Sequence, residues 1–166
     1  MILNYYDEQN KIDDDILNEY ENASNVIINK ELGLNLGFEL IEISLNIVTE
    51  DEIKEINREY RGIDKSTDVL SFPQYENIQM IMSKIKDLKA LEKNEQMPLI
   101  LGDIVICFDV AKRQSIEYGN TIKRELVYLF VHSMLHLLGY DHIQEDDRKI
   151  MRRHEEEIMS ELGIER

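Results

Sequence analysis

The sequence is short of cysteine, of positive charge and of long apolar runs. Its single cysteine, Cys107, excludes an internal disulfide and suits a reducing cytoplasm, the compartment expected for this chain. No apolar run approaches the length of a membrane span. The opening residues, Met1 to Glu8, have neither the basic start nor the apolar core of a secretory signal. No membrane partner is therefore expected. Lysine and arginine total 19 against 34 aspartate and glutamate, a net charge of −15. That argues against broad, charge-driven binding of nucleic acid. The shortage is uneven, however. Lys54, Arg58, Arg61 and Lys65 cluster among Glu55, Glu59 and Asp64, so a local basic patch on an acidic protein remains compatible with the composition. There is also no internal repeat, low-complexity tract or linker. With 166 residues the chain is long enough for a real core, and residues 1–166 are expected to form one domain.

Periodicity predicts the elements. Ile2–Tyr6 reads as a short strand. A helix is expected over 13–31, capped by Asp13, Asp14 or Asp15, with Ile16, Tyr20, Ala23 and Ile27 on one face and Gly33 at its end. From Leu40 to Val48 apolar and polar residues alternate, which predicts a strand with one buried face. Thr49-Glu50-Asp51-Glu52 has capping-box spacing and opens a helix to about Tyr60, burying Ile53 and Ile56. Thr67–Phe72 is a third strand, closed by Pro73. Residues 75–98 have helical composition and weak periodicity, which predicts a loop or an irregular helix. Leu99–Cys107 is nearly all apolar, as in a strand covered on both faces. Three helices follow: one capped by Asp109 and ending at Gly119, one capped by Asn120 or Thr121, and one from about Glu145 to Leu162. The fold class expected is α+β, a small mixed four-stranded sheet packed with about five helices.

The chemistry concentrates in Phe130–His142, which holds three of the four histidines. His132 and His136 lie four apart in a helical run and project from one face, one turn apart. Gly139 stops the helix, and His142 follows. Gly139 has its own reason, since the sharp reversal that returns His142 calls for a positive φ. Three imidazoles leave one tetrahedral position open, the pattern of a catalytic zinc site on a helix, as in the zincins. The spacing His-x-x-x-His-x-x-Gly-x-x-His matches the metzincin peptidases, whose general base is a glutamate directly after the first histidine. Here that residue is Ser133, which is not basic near neutral pH. Asp141, beside the third histidine, either orients a ligand imidazole from behind or caps the next helix. His154 reads as a solvated histidine.

The second constellation is Asn57 to Pro73. Alone, its Arg61 is a surface charge. Taken together, Asn57-x-x-x-Arg61, Thr67-Asp-Val-Leu-Ser-Phe-Pro73, Leu101-Gly-Asp-Ile-Val-Ile106 and the histidine motif, in this order and spacing, closely resemble the YbeY family of bacterial endoribonucleases. The resemblance runs from about Ile41 to His142. It implies a metal-dependent hydrolase with one zinc ion per chain, specific for single-stranded RNA. It further implies a cytoplasmic role in 16S ribosomal RNA 3′-end maturation and ribosome quality control. Partners implied are ribosomal RNA and a small-subunit ribosomal protein or assembly GTPase. The family's metal-binding histidines fall on His132, His136 and His142, and its functional arginine on Arg61. Two departures are Ser66, where many members have proline, and Ser133, where glycine is frequent. In the mechanism expected, the zinc ion lowers the pKa of a water to about 7 or polarises a phosphoryl oxygen, while Arg61 holds the phosphate. Two other classes stay open at this point: a non-catalytic ribosome-assembly factor with a structural metal site, and a metallopeptidase with a distant carboxylate as base.

Overall fold

The alternation in β2 (Ile41–Val48) organises the sheet. Its Ile41, Ile43, Leu45 and Ile47 are buried in the main core, while the residues between them are half-exposed. In the computed structural model, which describes residues 1–34, 41–92 and 95–164, β2 is flanked by β1 (Ile2–Asp7) and β4 (Leu99–Cys107), both parallel to it. An edge strand, β3 (Val69–Pro73), runs antiparallel to β4, giving the order β1-β2-β4-β3. The expected mixed four-stranded sheet is present. Leu40 lies outside the described residues.

Six helices accompany this sheet among the described residues: α1 (Asp14–Leu32), α2 (Glu50–Arg61), α3 (Ile78–Lys89), α4 (Phe108–Glu117), α5 (Ile122–Leu137) and α6 (Glu145–Glu161). Helix α1 starts at Asp13, whose carboxylate accepts the Ile16 N–H, and ends on left-handed Gly33. Helix α2 has the reciprocal box between Thr49 and Glu52. It buries Ile53 and Asn57, with Ile56 only half-buried. Helix α5 is the hub. It touches α1, α4, α6, β3 and β4, and the rings of Phe130 and Tyr20 meet at 4.5 Å.

The structure departs from the sequence reading at identifiable places. The stretch expected as a loop or irregular helix contains α3, capped by Asn77 and anchored by buried Ile81 and Ile85. Exposed Met80 and Met82 blur its periodicity, and α3 raises the helix count from about five to six. Strand β3 begins at Val69 because the Asp68 carboxylate takes the Val69 N–H and the Thr67 hydroxyl locally. It includes Pro73, which an edge strand tolerates. Strand β4 is covered on both faces only from Ile104 onward. Ile104 and Ile106 enter the main core, and Val105 and Cys107 enter a smaller cluster with Ile53 and Leu70 beneath α2. Ile100 and Asp103 are exposed. Helix α4 begins at Phe108 without a side-chain cap, and Asp109 sits in its first turn.

Candidate metal centre

The site is built at the C-terminal end of α5. The helix closes with the two bonds of a Schellman turn, Gly139 N–H to His136 C=O and Tyr140 N–H to Leu135 C=O. Gly139 takes φ 91°, and a Cβ there would lie 2.6 Å from the Asn77 Cα. Glycine is thus required twice, by conformation and by the segment packed against it. The reversal returns His142 to the helix. Ring centroids are 4.6 Å apart for His132 and His136, 5.4 Å for His132 and His142, and 5.0 Å for His136 and His142. One ligating atom from each lies within 4.8 Å of the others. The sequence-predicted trio is therefore brought together.

The partners of the ring nitrogens fix their chemistry. His136 Nδ1 lies 2.8 Å from the Tyr140 carbonyl oxygen. A carbonyl only accepts, so Nδ1 carries the proton and Nε2 presents a lone pair. His132 Nδ1 lies 2.6 Å from Glu155 Oε1, and an Nδ1–H donor satisfies that carboxylate. The two Nε2 atoms then face each other at 3.1 Å. Two bare imidazole nitrogens pointed at one another repel unless a proton or a cation lies with them. Burial, and then the neighbouring His132, hold His136 down to about 4, so it is neutral near pH 7. This donor set, with two of its three imidazoles oriented from behind, fits a divalent metal ion held by His132, His136 and His142.

Sequence reasoning missed what stands behind the ligands. Glu155, on α6 and 5% exposed, holds His132 through Oε1 and accepts the Tyr128 hydroxyl at Oε2, 3.0 Å away. Tyr128 is four residues before His132 on the same helical face, a spacing visible in the sequence. Glu155 is not visible there, because only the docking of α6 on α5 brings it near. Asp141 does not cap the next helix, which Gln144 precedes; its carboxylate accepts the His142 backbone N–H at 2.7 Å. His154 is not a free surface histidine. Its Nδ1 lies 2.8 Å from Glu31 Oε1, and its side chain is 18% exposed. Glu31 also accepts the Tyr140 hydroxyl at 2.5 Å.

Ser133 is fully buried, and its hydroxyl has no partner among the described residues. Glu155 has both oxygens engaged on the far side of His132 from Nε2. Neither provides a peptidase base. Arg61 ends α2, exposed, without a hydrogen-bond or ion-pair partner among the described residues. It follows Tyr60, whose ring meets Phe72 of β3 edge-on at 5.2 Å. The cavity beside the imidazoles, about 630 Å³, is lined by His132 and His142 with Arg124, Arg148 and Arg152, and not by Arg61.

Comparison with known proteins identifies the family. The family model for endoribonuclease YbeY matches residues 3–163. An endoribonuclease YbeY from Clostridium botulinum (strain Loch Maree / Type A3) is 43% identical over 164 residues, 95% of this chain and 96% of that one. One from Thermoanaerobacter sp. (strain X514) is 48% identical over 126 residues, 76% of this chain and 77% of its own. Among solved structures, the solution structure of TM1509 from Thermotoga maritima superposes with a TM-score of 0.58 at 26% identity. That match covers 98% of this chain and 92% of that one. With the histidine motif, the mixed sheet and relatives matched over nearly the whole length all in accord, the chain belongs to the endoribonuclease YbeY family.

Proposed function

We propose that this chain is a single-strand-specific, zinc-dependent endoribonuclease, and that it acts in the cytoplasm on 16S ribosomal RNA 3′ ends and in ribosome quality control. The observation that carries the reading is the pair of Nε2 atoms facing each other at 3.1 Å, each imidazole fixed from behind by Glu155 or the Tyr140 carbonyl. Three imidazoles suit zinc, and the name shared by the relatives supplies RNA as substrate. An ion bound there supplies Lewis acidity toward a phosphoryl oxygen and a water molecule. The chain's own residues do the rest. His136 is kept neutral by burial, and His132 and His136 are both aimed by their Nδ1 bonds. Arg61, with its guanidinium uncommitted, is assigned to hold the phosphate through its planar fork and to offset charge that builds on the oxygens. Ribosomal RNA and a small-subunit ribosomal protein or assembly GTPase are the partners assigned.

The test is cleavage of a single-stranded RNA by the purified protein and by His136→Ala and Arg61→Ala. Each variant is expected to lose at least about 100-fold in rate. Parent-like rates from both, at matched purity, would mean a contaminating nuclease and would end the reading. Metal analysis of protein purified without nickel resin identifies the ion.

A second reading is favoured by one observation, the net charge of −15: a ribosome-assembly factor that binds without turnover, its metal structural. Multiple turnovers per chain separate the enzyme from the stoichiometric binder.

A further inference from the structure

An acidic enzyme that acts on a polyanion has to gather its few cations where the substrate lies. Arg61 is one cation, at the end of α2. The cavity between α5 and α6 holds three more. Arg124 comes from the first turn of α5. Arg148 and Arg152 stand one turn apart on α6, facing the same space, and the wall they share continues into His132 and His142.

We propose that this cavity seats the RNA strand next to the bond being cut, with Arg124, Arg148 and Arg152 holding its phosphates. The assignment rests on the endoribonuclease reading for the identity of the ligand. Four observations on this chain support it. The cavity, at about 630 Å³, is large enough for a nucleotide. Two of the three imidazoles, His132 and His142, are among its lining residues. Arg124 has no carboxylate partner among the described residues. Its Nε is buried without an acceptor, and its guanidinium stands 6.0 Å over the Tyr128 ring, braced but not neutralised. Arg148 and Arg152 are paired only along their own helix, with Glu145 and Glu156, and are 62% and 66% exposed. Such exposed intrahelical pairs are weak and screened. A phosphodiester, which accepts two parallel N–H bonds from a guanidinium, displaces them readily. Two carboxylates line the cavity as well: Glu155 is committed to His132 and Tyr128, and Glu156 to the exposed pair with Arg152.

The neighbouring cations of α6 provide an internal control. Lys149 and Arg153 are one position further along the helix, pair with the carboxylates of Glu145, Asp146 and Glu157, and do not line the cavity. The experiment measures anisotropy of a fluorescent 2′-O-methyl oligouridylate on the metal-loaded protein, titrated between about 50 and 300 mM KCl. The Arg148→Gln/Arg152→Gln double variant is expected to weaken binding about tenfold. It should also flatten the slope of log affinity against log salt by about 1.4, two single-strand contacts at about 0.7 each. The Lys149→Gln/Arg153→Gln variant removes the same charge and is expected to change the slope by less than one contact. Equal changes in the two double variants, or an unchanged slope in the first, overturn the clamp. Both substitution pairs are on an exposed face, so folding is preserved and checked by circular dichroism. The outcomes separate cleanly from the histidine test. Arginine-dependent binding without histidine-dependent cleavage removes the nuclease reading and keeps the RNA seat, and the converse removes the seat alone.

Discussion

Two clusters in this protein use the same three groups to different ends. At the metal centre, Glu155 joins the His132 ring to the Tyr128 hydroxyl. On the other flank of α6, Glu31 joins the His154 ring to the Tyr140 hydroxyl. In each a buried carboxylate bridges one imidazole Nδ1 and one phenol, and in each the phenol is held in its protonated form by burial and by the carboxylate. What differs is what the far side of the histidine meets. His132 turns Nε2 toward His136 and His142, whereas His154 belongs to no metal-competent group among the described residues and packs on the Tyr140 ring at 4.8 Å. The first cluster aims a ligand. The second ties α1 and α6 to Tyr140, whose carbonyl orients His136. A histidine with a buried carboxylate behind it is therefore not yet a metal ligand; a second and third imidazole in front of it make it one.

The largest effect expected comes from removing the carboxylate that aims a ligand. Glu155→Ala leaves His132 free to rotate and to change tautomer, and should weaken metal binding about 10- to 100-fold. Competition against a chromophoric chelator measures this. Glu155→Gln keeps an acceptor for Nδ1–H and should recover much of the loss. If Glu155→Ala binds metal as tightly as the parent, the two clusters are equivalent and the distinction drawn between them collapses.

Glu31→Ala is the matching change in the second cluster. It strips a buried acceptor from both His154 and Tyr140, and should cost about 2 kcal/mol of stability, or about 4–8 °C in Tm for a chain of this size. Its effect on metal affinity should be well below that of Glu155→Ala, because the backbone bond from His136 to Tyr140 survives. A thermal melt of the metal-free protein together with the same chelator competition checks both statements. A metal loss as large as that of Glu155→Ala, without a fall in Tm, would make Glu31 part of the metal centre.

The contrast between the clusters also explains what was legible in the sequence. The ligands were legible because they lie within one local stretch: helical spacing places His132 and His136 together, and the glycine turn returns His142. Tyr128 was legible in principle by the same helical arithmetic. Glu155, Glu31 and His154 were not, since each depends on how α6 lies against α5 and α1, a tertiary fact with no local periodicity behind it. The same division runs through the fold. Alternation fixes β2, and caps fix α1 and α2. Helix α3 was blurred by Met80 and Met82 on its exposed face, and the one-sided exposure of the start of β4 follows from what α2 fails to cover. Asp141 illustrates a third limit: a carboxylate beside a ligand can bond the adjacent backbone amide, here that of His142.

The smallest effects make the finest comparison. Tyr128→Phe removes the hydroxyl that donates to Glu155, and Tyr140→Phe removes the one that donates to Glu31; neither change alters ring size. Each deletes one hydrogen bond to a buried carboxylate, about 1 kcal/mol of stability, so the two variants should melt at similar temperatures. Their metal affinities should diverge. Without the Tyr128 hydroxyl, Glu155 is less firmly placed behind His132, and metal binding should weaken severalfold, at the low end of the range for groups behind a ligand. Without the Tyr140 hydroxyl, the carbonyl on His136 is still set by the Schellman turn, where the Tyr140 N–H bonds to the Leu135 carbonyl, and affinity should stay at the parent value. Equal metal losses in the two variants would show that the turn does not fix the carbonyl by itself and that the ring of Tyr140 has to be tied to Glu31 before His136 is aimed.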